Sequence, residues 1–230
     1  MREFVSSSVY LAVCIVLVSY FIASFIHKKT GFPLFSPLIL ATIFSIAIMY
    51  VLPIEYEEFA DGAQPLVALL TPATICLAVP LYEQYGILKQ NKTALIVGVA
   101  SGVLTALGSL LVLCLICRIP HNIYVSMLSK SITTAVAIGL TEELGGVVPI
   151  TVASITITGL FGNVIAVSFL RLLHIEEPIA KGVAIGTSSH VAGTAKAMEI
   201  GPLEGAVSSL SLIVSALLTV IGANIFATFL

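Results

Sequence analysis

The sequence predicts an all-α fold: a polytopic transmembrane helical bundle with interrupted helices and inverted repeats. Three observations carry this. Hydrophobic residues make up 58% of the 230 and charged residues 10%, with a mean hydropathy of +1.12. Apolar runs of about 20 residues recur, each long enough to cross a hydrocarbon core of ~30 Å as a helix. The runs are uniformly apolar rather than alternating, which excludes barrel strands. A chain that crosses lipid must satisfy its backbone internally, and helices do so.

Eight segments follow, at 4–26, 34–52, 64–83, 92–117, 122–141, 147–170, 180–200 and 203–229. No soluble domain fits between them, so residues 1–230 read as one integral membrane domain. Segment 1 is longer than a signal-peptide core and lacks a clear cleavage site, which makes it a retained helix. Segments 1, 2, 4, 6 and 8 are plain apolar helices. Segment 3 carries Pro72 and Pro80, and each proline removes a backbone donor and clashes with the preceding turn. Segment 5 places Lys130 among Ser129, Ser131, Thr133 and Thr134. Segment 7, "GTSSHVAGTAKAMEIG", places a histidine, a lysine and a glutamate among glycines and hydroxyls. Polar or broken backbone at membrane depth is tolerated where protein or a wet cavity surrounds it.

Basic residues set the orientation. Lys28, Lys29, Lys89, Lys92, Arg171 and Lys181 should share the cytoplasmic side. Eight simple crossings cannot achieve this, so segment 5 is the candidate re-entrant element. Glu55, Glu57, Glu58 and Asp61 then lie outside with Glu142, Glu143 and Glu204. The amino terminus is outside and the carboxyl terminus inside. Segments 2–4 and 6–8 become triplets of opposite orientation, with Pro37 and Ala41 aligned to Pro149 and Ala153, and Thr74 aligned near Ser189. Inverted repeats with discontinuous helices point to a secondary-transporter site near mid-membrane.

His190 is the sharpest candidate. An ionisable side chain in lipid faces the bundle interior or a wet path, and histidine changes charge near physiological pH. Gly186, His190, Gly193 or Thr194, and Ala197 would share one face of an unbroken helix. Its role is either substrate or proton contact, or a structural bond to a neighbouring helix. Lys196 either holds an anion or pairs with Glu199, three residues on. Lys130 is a second anion partner or a headgroup contact. Thr71, Thr74, Ser131, Thr133, Thr134, Thr187, Ser188 and Ser189 supply hydroxyls at the three interruptions, where half-helix amino ends attract carboxylates.

Other readings are weaker. A net charge of −2 without a basic block argues against nucleic acid. Cys14, Cys76, Cys114 and Cys117 read as packing residues, and His27, His121 and His174 show no metal spacing. Ser189 beside His190 is not a catalytic dyad, and no nucleophile elbow is present, so no enzyme and no cofactor are expected. Gly98-x-x-x-Gly102 and Gly182-x-x-x-Gly186 suit close helix packing. Self-association into a homo-oligomer is left open.

The runs "TPATICLAVPLYEQ", "SKSITT", "TGLFGNVIAVSFLRLLHIEEPIAKGVAIGTSSHVAGTAKAMEIG" and "EGAVSSL" closely resemble the LrgB/CidB family. The likeness covers almost the whole chain and is densest from Lys130 to Ser209. It departs at segment 5, where prolines usual in the family are replaced by Ser129 and Ala135 and an acid usual near Gly139 is missing. The resemblance implies a multi-pass protein of a bacterial plasma membrane that acts with a small LrgA/CidA-like holin-type partner in the lipid bilayer. It also implies two functional expectations. One is transport of a small monocarboxylate such as pyruvate or glycolate/glycerate, as in the related plastid transporter. The other is antiholin-like regulation of murein hydrolase export and autolysis.

Overall fold

The computed structural model describes residues 9–30, 35–69, 72, 75, 76 and 78–230. The chain divides into two compact units, Met1–Cys76 and Leu77–Leu230.

The first unit contains α1 (Val9–Thr30), α2 (Pro37–Val51), α3 (Tyr56–Gly62) and α4 (Gln64–Ala68). α1 has no charge until its last turn, where Lys28 and Lys29 complement the carboxyl-end dipole. Ala12, Ile15, Ser19 and Ala23 are its buried residues. They form one stripe of mostly small side chains, which suits close packing on α2. α2 opens with Pro37 in its first turn, where a missing N–H costs nothing.

The second unit contains α5 (Ala78–Glu83), α6 (Tyr85–Gln90), α7 (Lys92–Cys117), α8 (His121–Leu128), α9 (Thr134–Glu143), α10 (Val148–Leu172), α11 (Pro178–Ile200) and α12 (Pro202–Phe226), with a final 3-10 turn. Among the described residues, α1, α7, α10 and α12 are long and apolar enough to cross a membrane. Large side chains such as Leu104, Leu172, Leu217 and Ile221 point outward from them and are exposed, as lipid-facing surfaces are.

Segment 5 is a hairpin rather than a rod. Ser129 to Thr133 separate α8 from α9. Thr151 Oγ1 donates to the Ser126 carbonyl at 2.8 Å and lies 2.9 Å from Thr141 Oγ1. Ser126 and Thr141 therefore meet the same residue of α10. In a straight helix they would stand about 22 Å apart. Ser126 Oγ also accepts from the Val147 amide at 2.7 Å, which ties the start of α10 to the same end.

α11 reverses as well. Ser189 (φ −129°, ψ 16°) and His190 (φ 41°, ψ −141°) leave helical geometry. Ser208 packs on Gly186 of the first limb, and its hydroxyl lies 2.9 Å from Thr194 Oγ1 of the second. Eight residues of straight helix would separate those partners by about 12 Å. Farther from the tip, Gly182 faces Val207 and the Glu204 carbonyl, while Met198 faces Gly205. Both limbs thus return to the start of α12. Small residues make this approach feasible: a Cβ on Gly182 or Gly186 would fall within 3 Å of α12.

The directions of the long helices follow. Gly98 and Gly102 of α7 meet Val183 and Thr187 in turn, so α7 parallels the first limb of α11. α12 does the same, and Leu107 meets Gly222. Tyr124 donates to the Phe226 carbonyl at 2.9 Å at the far end. α10 runs the other way, from Ser126 to the Lys181 end. Lys92, Arg171 and Lys181 therefore gather at one end of unit 2, as the charge argument expected.

Two expectations are corrected here. Glu204 lies at this basic end, not with Glu142 and Glu143, and Phe226 near the carboxyl terminus lies at the opposite end. The reason is the reversal at Ser189–His190, which brings the chain back where a broken helix would have crossed. The opposed triplets 2–4 and 6–8 lose that premise. Instead, hairpin followed by long helix occurs twice in unit 2, in opposite directions.

Cysteine labelling tests this arrangement. In a background freed of Cys14, Cys76, Cys114 and Cys117, Glu176→Cys and Glu199→Cys should react with an impermeant maleimide from one side. Asn122→Cys and Thr228→Cys should react from the other. Opposite-side labelling of positions 176 and 199 would show a crossing helix instead of a hairpin.

Candidate functional site

The two hairpin tips meet a cleft of about 1150 Å³ between α7, α10 and α11. Asn91 and Glu177 line it at the basic end, and Lys130, Ser131, Ser188 and Ser189 line it at the tips. Gly159 and Gly162, near the middle of α10, receive the α11 tip. A Cβ at Gly159 would strike the His190 ring, and one at Gly162 would strike the Ser189 side chain.

His190 does not face the cleft. It is buried at 8% exposure, and its Nε2 lies 2.9 Å from the Ile155 carbonyl, to which it donates. Its backbone occupies a region that a side chain rarely adopts, at a cost of about 1–3 kcal/mol. Seating in α10 offsets that cost. Asn163 Nδ2 donates to the Ala192 carbonyl at 3.0 Å, and Thr194 Oγ1 donates to the His190 carbonyl at 3.0 Å. Side chains thus accept the duty that water would perform in a soluble turn.

The other sequence candidates separate clearly. Ser188 and Ser189 share a hydroxyl contact of 3.0 Å at the cleft. Thr187 also lines it, with its hydroxyl returned to the Val183 carbonyl at 2.7 Å. Gly193 packs against Ser189 and Ile185 inside the hairpin, and Thr194 is buried against α12. Neither Gly193 nor Thr194 reaches the cleft. The expected common face of Gly186, His190, Thr194 and Ala197 is broken by the reversal between them. Lys196 pairs with Glu199 at 2.7 Å, away from the cleft.

Lys130 is partly buried at the cleft, with Nζ donating to Ser131 Oγ at 3.3 Å. Among the described residues it belongs to no ion pair; Lys196 and Glu199 form one. Thr133 caps the start of α9 by position, without a side-chain capping bond. Thr133 and Thr134 lie outside the cleft lining. Thr71 and Thr74 fall outside the described residues.

Sequence reasoning missed Ser101 and Thr105 of α7 and Thr158 of α10, which also line the cleft. A signal was present. Gly98, Ser101, Gly102 and Thr105 recur at helical spacing and place a small, hydroxyl-bearing face on an otherwise apolar helix. Asn163 was missed too, as a buried amide in an apolar run.

The seat predicts a mutational pattern. Gly159→Ala and Gly162→Ala should each lower stability by about 1–3 kcal/mol, the usual cost of overpacking, measured by thermal unfolding in detergent. Gly108→Ala, which meets nothing within 4 Å, should be neutral or stabilising by up to ~1 kcal/mol. His190→Gly should be the milder of two His190 variants, because it relieves the positive φ that His190→Ala retains. Equal losses for the two would contradict the strained geometry.

No solved structure matches the chain. The family model described as the LrgB-like family matches residues 16–229.

Proposed function

The chain belongs to the LrgB-like family of membrane proteins, and from that membership we propose that it carries a small monocarboxylate such as pyruvate or glycolate/glycerate across the membrane. Hairpins 121–143 and 178–200 are re-entrant elements that enter from opposite sides. Their tips form the binding site. A small LrgA/CidA-like membrane protein acts with it, in a bacterial plasma membrane.

One observation carries this reading: the Lys130 ammonium stands beside Ser131 at the cleft that Ser188 and Ser189 also line, outside any ion pair among the described residues. A lone cation with hydroxyl donors suits a single carboxylate. The second limbs add to it, since α9 and the stretch from Val191 both begin at the tips. Helix amino ends carry partial positive charge, which favours an anion there. Thr158 offers a further hydroxyl donor, while Ser101 and Thr105, whose hydroxyls donate to the Gly98 and Ser101 carbonyls, offer acceptor oxygens for a hydroxyl beside the carboxylate. His190 serves by holding the tip rather than by touching substrate.

Antiholin-like regulation of murein hydrolase export is the second reading from the family. The exposed apolar faces of α7 and α12 would serve a partner helix, but they serve lipid equally well, so no observation favours it over transport.

Uptake into proteoliposomes, with and without the small partner, separates the two. Labelled pyruvate or glycolate should enter. Lys130→Gln should cut uptake about 10- to 100-fold, the loss of one charge-assisted hydrogen bond, while Lys196→Gln stays near the parent rate. If neither anion enters in either arrangement, and lysis control in cells survives Lys130→Gln, regulation replaces transport.

A further inference from the structure

A second pocket, of about 600 Å³, lies at the basic end of unit 2. Leu170 separates it from the cleft and lines both. Arg171 and His174 approach from the end of α10 and Lys181 from the first limb of α11, while Ile200 closes the wall from the second limb. Thus three basic side chains converge on one concavity that is also partly apolar. Glu176 is the acid that lines it. None of the three basic side chains belongs to an ion pair among the described residues, where the pair is Lys196–Glu199.

The helix ending places one of these side chains at the pocket. α10 ends with the Ile175 amide bonded to the Leu170 carbonyl at 2.9 Å and the His174 amide to the Arg171 carbonyl at 3.1 Å. This is the paired-bond helix ending that usually places glycine in the left-handed position. Here His174 occupies it, with φ 55°. Glycine would adopt that conformation without strain, so the imidazole is retained at a backbone cost and lines the pocket.

We propose that this pocket binds the phosphate headgroup of an anionic phospholipid, whose apolar body lies along Leu170 and Ile200. A soluble phosphate would gain nothing from the apolar wall. The pocket also lies at the end of α10, a helix long and apolar enough to cross a membrane, and basic pockets between such helices favour these lipids. A phosphate held here ties the end of α10 to the first limb of the 178–200 hairpin while the lipid body contacts Ile200 of the second, so the lipid braces the base of the element whose tip reaches the cleft. This site is independent of which solute the cleft carries.

Native mass spectrometry of the full chain released from nanodiscs tests the proposal, alongside thermal unfolding with added lipid. Phosphatidylglycerol or cardiolipin should remain bound and raise Tm, whereas phosphatidylcholine should do neither. Arg171→Gln and Lys181→Gln should each weaken retention about fivefold, corresponding to ~1 kcal/mol per basic side chain near an anionic surface. Lys89→Gln/Lys92→Gln changes charge at the same end but outside this pocket, and should leave retention intact. His174→Gly should lose bound lipid while keeping or raising Tm in phosphatidylcholine alone, which separates binding from folding. Equal loss in the Lys89/Lys92 variant would overturn the proposal in favour of general surface attraction. Equal stabilisation by inorganic phosphate would overturn the lipid assignment.

Discussion

The reversal at Ser189–His190 governs the organisation of unit 2. A chain that turns back inside a bundle exposes carbonyls and amides that lipid cannot satisfy. Here the turn is pressed into α10 at Gly159 and Gly162. Imidazole, amide and hydroxyl groups then take up the carbonyls of Ile155, Ala192 and His190. The left-handed backbone at His190 is tolerated because these contacts hold it. Without the seat, the segment would straighten, and Glu204 and the carboxyl terminus would exchange ends.

The 121–143 hairpin solves the same problem differently. Its tip is an irregular stretch of five residues instead of a two-residue turn. Its limbs are held by hydroxyls: Ser126, Thr141 and Thr151 bond one another and nearby backbone inside the unit, and Ser129 at the start of the tip lies 3.4 Å from Thr141 Oγ1. Such bonds are individually modest in membrane proteins, about 0.6–2 kcal/mol, but here they close a loop within the bundle. One hairpin thus has its tip seated in α10, and the other buries Ile132 of its tip in the core and carries Lys130 at the cleft. The proposed solute site lies at the tips, and the proposed lipid pocket lies at the base of α11.

Much of this was legible in the residues. Helix existence came from run length, and the 92–117 run coincides with α7. The interruptions in segments 5 and 7 were visible as hydroxyls, glycines and charges within apolar runs. Lys130, Ser131, Ser188 and Ser189 were named from those interruptions and lie together at the cleft. Lys196 was equally conspicuous, yet it forms a local pair with Glu199. Spacing of three residues permits such a pair but does not reveal depth in the bundle.

Composition and periodicity established a helical membrane bundle, because hydrophobic length is a property of the chain that needs no partner. They also located the polar breaks, since polarity in an apolar run is local. They did not establish whether a break crosses or returns. That depends on where the flanking limbs dock, and docking depends on glycine slots in α10 and α12 that are distant in sequence. The placement of His190 was decided in the same way. Its imidazole is drawn away from the cleft by the Ile155 carbonyl, thirty-five residues distant, a partner that no local pattern announces.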